Sequence, residues 1–195
     1  QGCQAVIVEG PSDQYYLSAI KLYLLSKGLL TPDKELLFVP SGGVRGVTAI
    51  ANILTGHDEL LPRVLLDADK PGLELSGKLI SGLYQGDHDR VLLVTQYVST
   101  PDAEIEDLMP DAVLADVIAR QLRGPAIDFD QFWTSGSSIV PQVRNWADKH
   151  NVVLEQGWKV EVSKRFKSQL ALGVFEIPEP VEARWATLFT TLLED

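Results

Sequence analysis

Short runs of consecutive apolar residues alternate, in the first half of the chain, with longer stretches whose apolar residues recur every three or four positions. Ala5-Val6-Ile7-Val8, Leu36-Leu37-Phe38-Val39, Val64-Leu65-Leu66 and Val91-Leu92-Leu93-Val94 have the length and bulk of buried strands. Between the first two, Tyr16, Ile20, Tyr23 and Leu24 mark the apolar face of a helix that Ser12 can cap and Gly28 can stop. Further helices are expected over 44–54, ending near Gly56, and over 73–83. Strands alternating with helices of ten to fifteen residues mean βαβ units, so the expected fold class is α/β with a parallel sheet. After Glu104 the pattern turns wholly helical, with segments expected over 105–122, 139–150, 158–172 and 181–193. Gly124-Pro125 and Ser135-Gly136-Ser137-Ser138 join them. This divides the chain into a sheet domain over 1–107 and a smaller helical domain over 108–195. Trp158, Val162, Phe166 and Leu170 follow helical spacing and read as core rather than as stacking platforms for nucleic acid.

Acids stand where the strands end. Glu9 closes the first strand with Gly10-Pro11, and Asp13 follows at the start of a helix. The third strand ends in Asp67-Ala68-Asp69-Lys70-Pro71-Gly72, which the Pro-Gly pair marks as a turn. Side chains two apart on extended chain share a side, which would set Asp67 beside Asp69. Glu104, Glu106 and Asp107 come after the fourth strand. In a parallel sheet all these ends lie on one edge, where open α/β sheets place ligands. Carboxylates gathered there repel unless one is protonated or a cation lies between them. A hard, all-oxygen set suits Mg²⁺ or Mn²⁺, and two such ions roughly 3.5–4 Å apart catalyse in-line phosphoryl displacement.

Charge sharpens this picture. The 195 residues carry a net charge of −10, which argues against nonspecific attraction to nucleic acid by the whole surface. From Pro101 to Asp116 there are six acids and no base, whereas Pro141 to Leu170 has a local balance of +3. An acidic cluster wanting cations beside a basic segment is a sensible layout for a metal-dependent enzyme acting on a polyanion. The lone Cys3 forms no internal disulfide and suits a cytoplasmic protein. His57, His88 and His150 are too scattered to suggest a zinc site. No run is long enough to span a membrane. Gly72 to Leu79 nearly spells a phosphate-binding loop, but Leu79 replaces the required Ser or Thr, so ATP binding is not expected. The chain lacks a starting Met and runs almost directly into its first strand, so it reads as part of something larger.

Taken together, Val8-Glu9-Gly10-Pro11-Ser12-Asp13, Ser41-Gly42-Gly43, Leu66-Asp67-Ala68-Asp69-Lys70-Pro71-Gly72 and Ile105-Glu106-Asp107-Leu108 resemble the Toprim domain. Within that superfamily they look like the OLD (overcoming lysogenization defect) nucleases, over about the first 108 residues. Glu-x-x-x-Glu is also common in the family, and Asp13 is a shorter variant of its second acid. The resemblance implies a metal-dependent endonuclease using two Mg²⁺ or Mn²⁺ ions. Its ligands would be Glu9, Asp13, Asp67, Asp69 and Glu106. It also implies an upstream ATPase domain in the same polypeptide, DNA as substrate and partner, and a second copy joined through the upstream part as a candidate partner. The family uses a lysine from the helical half to stabilise transition-state charge. Lys164 is the expected one, in a stretch folded back toward the site, with Lys167 and Lys159 as alternates.

Three other readings compete. A topoisomerase or primase would use the same acids, but no tyrosine here has a marked context and no cysteine cluster is present. A phospho-accepting receiver domain would use Asp67, yet Glu9 is single rather than one of an adjacent acidic pair. A scaffold with a silent site has no need to keep mutually repelling carboxylates.

Overall fold

The computed structural model describes residues 2–55, 60–123 and 128–194. The chain is an α/β protein built on four strands, β1 (Cys3–Val8), β2 (Glu35–Pro40), β3 (Arg63–Leu66) and β4 (Val91–Leu93). They form one sheet of order β2-β1-β3-β4, and every pair is parallel. Val6 stands opposite Phe38 and Arg63 on its two neighbours, and Leu66 opposite Leu93. Among the described residues the sheet is accompanied by seven helices: α1 (Pro11–Ser26), α2 (Val44–Thr55), α3 (Lys70–Ile80), α4 (Asp111–Leu122), α5 (Ile139–His150), α6 (Trp158–Ala171) and α7 (Glu179–Leu193). None is long and apolar enough to cross a membrane.

Both sheet faces are buried because the strand residues alternate between two apolar clusters. Ile7, Val64 and Leu66 face α2 and α3, meeting Val47, Ala51, Leu75 and Leu79. Val6, Val8, Leu65 and Leu92 face the other way, onto α1 and the helices that follow the sheet. This second cluster is continuous from Val6 through Tyr16 and Leu17 to Trp146, Phe166 and Trp185. The helices after residue 108 therefore share a core with α1 and one face of the sheet. Val162, Phe166 and Leu170 of α6 are buried in it, and Tyr16 meets Phe166 edge-on, with ring centres 5.6 Å apart. That packing lays α6 along α1.

Three local departures from the expected pattern position the site. Ser12 does not cap α1. Gly10 takes that place, with Pro11 supplying the preset φ of a first helical residue, and the Asp13 carboxylate accepts from the Gly10 N–H at 2.9 Å. Pro71-Gly72 is not a turn but the first turn of α3, which Asp69 caps by accepting from the Gly72 N–H at 2.8 Å. The helix expected over 105–122 is broken. Pro110 forces Met109 into extended geometry (φ −76°, ψ 159°), leaving a separate 3₁₀ turn over Ile105–Leu108 ahead of α4. Gly56 and Gly124-Pro125, expected to end α2 and to link α4 onward, lie outside the described residues, as does His57.

Arg63, 1% exposed at the start of β3, is satisfied by carbonyls. Its guanidinium donates to the Glu194 oxygen just past α7, at 3.0 and 3.3 Å, and to the Asp89 oxygen at 3.1 Å. The last helix is thereby tied to the opposite end of the sheet from the acids.

Candidate active site

β1 ends at Val8 and β3 at Leu66, so Glu9 and Asp67 are the first residues past adjacent strands. The Glu9 carboxylate accepts from the Asp67 N–H at 3.1 Å through Oε1. The loop after β4 folds over the same edge. The Ala68 N–H donates to the Ala103 oxygen at 2.8 Å, and Asp67 Oδ1 accepts from the Ile105 N–H at 2.8 Å. These bonds fix residues from three loops around Asp67.

Glu106 enters from the 3₁₀ turn, which is pinned from behind. The Trp185 indole donates to the Leu108 oxygen at 2.9 Å, and Arg184 donates to the Asp107 oxygen at 3.3 Å. Glu106 is 2% exposed. Asp107 holds backbone, accepting from the Ile139 and Glu104 N–H groups at 2.9 and 3.0 Å. A cavity of about 400 Å³ opens beside the turn, with Thr100, Ser137, Glu106, Asp107 and Arg184 in its wall.

The electrostatics mark one interacting set. Burial pushes the Asp67 carboxyl well above the ordinary carboxylate range, and the Asp13, Glu106 and Glu9 carboxylates push it further. Glu9 is raised to about 7 by burial, with Asp13 and Asp69 adding to the rise against the hydrogen bond from Asp67. Glu106 is also raised to about 7, chiefly by burial, while Lys159 opposes the rise. Asp13 is raised by burial, against hydrogen bonds from Gly10 and Ser12. The Tyr16 hydroxyl is fully buried without a hydrogen-bond partner, and Glu106 and Asp13 lie within electrostatic reach of it.

Lys159 brings a cation into this set from the first turn of α6. Its Nζ donates to Glu104 Oε2 at 2.6 Å and lies 3.2 Å from Glu106 Oε2. The second contact pairs charges without the alignment of a hydrogen bond, so both Glu106 oxygens remain without hydrogen-bond partners. Burial alone would lower the Lys159 pKa, but the Glu106 and Glu104 carboxylates outweigh it and hold the ammonium charged.

The structure thus brings together Glu9, Asp13, Asp67 and Glu106. Asp69 is near enough to act on Glu9, but β3 has ended before it and its carboxylate is committed to the α3 cap. Lys164 is not brought to the cluster. It pairs with Glu161 at 2.8 Å and, with Lys167, flanks the ring of Tyr15. Helical geometry explains why Lys159 and not Lys164 reaches the acids. At about 100° per residue, Lys159 falls inside the arc swept by the buried stripe from Trp158 to Leu170, whereas Lys164 lies about 240° from Trp158. Tyr16, read from sequence only as part of an apolar face, and Glu104 are the further polar members. Glu104 is read from sequence beside Glu106, but its pairing with Lys159, 55 residues on, is a tertiary fact with no local signal.

Gly72 is required for close backbone approach. A Cβ there would stand 2.1 Å from the Asp67 carbonyl oxygen and 3.2 Å from Asp69 Oδ1. Gly72→Ala is expected to cost about 2–3 kcal/mol, read as a lower urea midpoint with an unchanged slope. An unchanged midpoint would refute the close fit of α3 against the site loop.

Among the described residues, no three His, Cys, Asp or Glu side chains are gathered closely enough to hold a metal ion as they stand. Glu9, Asp13 and Asp67 each have oxygens turned onto backbone N–H groups, and an ammonium covers Glu106. The chemistry of the set still fits a hard cation, since the donors are all carboxylate oxygens and Glu106 keeps two buried oxygens without hydrogen bonds. The chain matches no protein-family model, no curated protein and no solved structure. Fold and site together define an α/β protein with a partly buried acidic cluster, countered by Lys159, at the carboxyl edge of a parallel sheet.

Proposed function

We propose that the chain is the nuclease part of an OLD-type protein, a Toprim domain with helical extension that hydrolyses phosphodiester bonds in DNA with Mg²⁺ or Mn²⁺. The observation that carries this reading is the gathering of Glu9 from the end of β1, Asp13 from the first turn of α1, Glu106 from the 3₁₀ turn and Lys159 from α6 around Asp67, whose N–H and carboxylate are tied to Glu9 and to the Ile105 N–H. Buried carboxylates in such number are costly in a fold that does not use them. Glu9, Asp13, Asp67 and Glu106 would hold the cations, with Asp69 at the rim. Bound there, the ions would supply Lewis acidity toward a phosphate ester.

The chain's own residues do the rest. The 3₁₀ turn and the backbone bonds to Asp67 and Glu9 hold these acids at the sheet edge. The Lys159 ammonium is the cation placed to stabilise charge developing on a phosphate, the role that the resemblance had suggested for Lys164. Lys164 and Lys167, outside the cluster on α6, are suited to hold a DNA backbone through charge alone. An upstream ATPase domain and a cytoplasmic setting belong to the same proposal.

The test is nicking of supercoiled plasmid. The chain is expected to nick with Mn²⁺ or Mg²⁺ and to stop on chelation. Lys159→Ala should lose about 10²–10³-fold in rate, whereas Lys164→Ala should stay within a few-fold. A well-folded chain that is inert over several divalent metals would overturn the proposal.

A further inference from the structure

We propose that Lys159 is the resident counterion of the acid cluster, that a divalent cation binds only by displacing it from Glu106, and that Glu104 positions the displaced ammonium. This rests on the cation reading above and adds to it a mode of loading and a role for Glu104.

The two carboxylates that share Lys159 hold it unequally. Glu104 takes a hydrogen bond at 2.6 Å, whereas Glu106 stands at 3.2 Å with neither oxygen hydrogen-bonded. Glu106 is therefore the partner that exchange would release, and Glu104 the one that would remain. Glu104 is itself fixed, since its N–H donates to Asp107 Oδ2 at 3.0 Å, and its side chain is only 11% exposed.

Charge makes the exchange necessary. An ammonium and a dication on the same carboxylate repel strongly at low effective dielectric. Leaving Glu106 bare would strand a buried charge, so the two cations substitute for each other. A tethered ammonium also sets a threshold that favours a doubly charged ion over Na⁺ or K⁺. Glu104 thus acts through Lys159 rather than as a ligand.

Calorimetric titration of the whole chain with Mn²⁺ tests this. Lys159→Met is expected to bind Mn²⁺ about tenfold tighter than the unaltered chain. Glu104→Gln should weaken binding several-fold in the unaltered background, because Lys159 then has only Glu106, and should have little effect when combined with Lys159→Met. Equal weakening by Glu104→Gln in both backgrounds would overturn its positioning role. In the unaltered chain, the ¹⁵N signal of the Lys159 ammonium should shift on titration with Mg²⁺, a readout that requires no variant to fold. Equal Mn²⁺ affinity with and without Lys159, or an unmoved ammonium signal despite binding, would overturn the displacement and leave the cation site standing. Absence of binding by both the unaltered chain and Lys159→Met would overturn the site and the displacement together.

Discussion

Asp67→Asn is expected to abolish cation-dependent nicking, by about 10²–10³-fold or more, while raising the melting temperature of the metal-free protein. The two effects have one cause. The amide retains an oxygen that can accept from the Ile105 N–H, so the loop after β4 keeps its anchor. What disappears is a charge that burial and three neighbouring carboxylates already disfavour. A group selected for folding alone would lose stability on such a change, and a group kept for chemistry gains it. Parallel measurement of nicking rate and thermal unfolding without divalent ions separates the cases. A lower melting temperature with activity retained would make Asp67 a structural residue and defeat the reading of the cluster. Glu9→Gln should behave in the same direction, since Glu9 likewise has one oxygen on a backbone N–H.

What was legible in the sequence was local and periodic. The apolar runs placed all four strands, and the three-to-four spacing placed α5 over Ile139–His150, because burial on both faces of a sheet leaves little freedom in either pattern. Acids at strand ends were legible for the same reason, since a parallel sheet sends every such end to one edge. The structure departs from the expected layout where one residue type serves two purposes. Pro71-Gly72 reads as a turn, yet Pro is equally at home in a first helical turn, and Gly72 is there because the Asp67 carbonyl leaves no room for a Cβ. Asp69 was placed by strand alternation, but the strand had ended, and its carboxylate caps α3. Lys164 was favoured over Lys159 by resemblance, against the wheel geometry of α6, on which only Lys159 shares the buried arc. The Glu104–Lys159 pair, 55 residues apart, depends on α6 lying along α1, and no local spacing encodes that packing.

The metal-free protein should lose stability as pH rises from about 4.5 to about 7, and a divalent cation should reverse the loss. Glu9 and Glu106 each move from an ordinary 4.5 to about 7 on folding, principally through burial. In that window the folded chain keeps protons that the unfolded chain has released, so the slope of stability against pH is negative. Their contribution is fully present below pH 4.5 and is lost by the time pH passes the folded value. Asp13 and Asp67, also raised, act in the same direction. Lys159 is raised above an already high ordinary value and stays charged throughout, so it adds no slope here. A fall in melting temperature of at least about 4 °C between pH 5.5 and 8 is expected, at roughly 2–4 °C per kcal/mol for a chain of this size. Saturating Mn²⁺ should flatten or invert the trend, because the ion binds the deprotonated carboxylates and only in the folded state. Glu106→Gln should shrink the fall, which separates the cluster from the general repulsion of a chain with net charge −10. A melting temperature that rises across the window without metal would mean that the acids ionise freely, and the buried cluster would lose its physical basis.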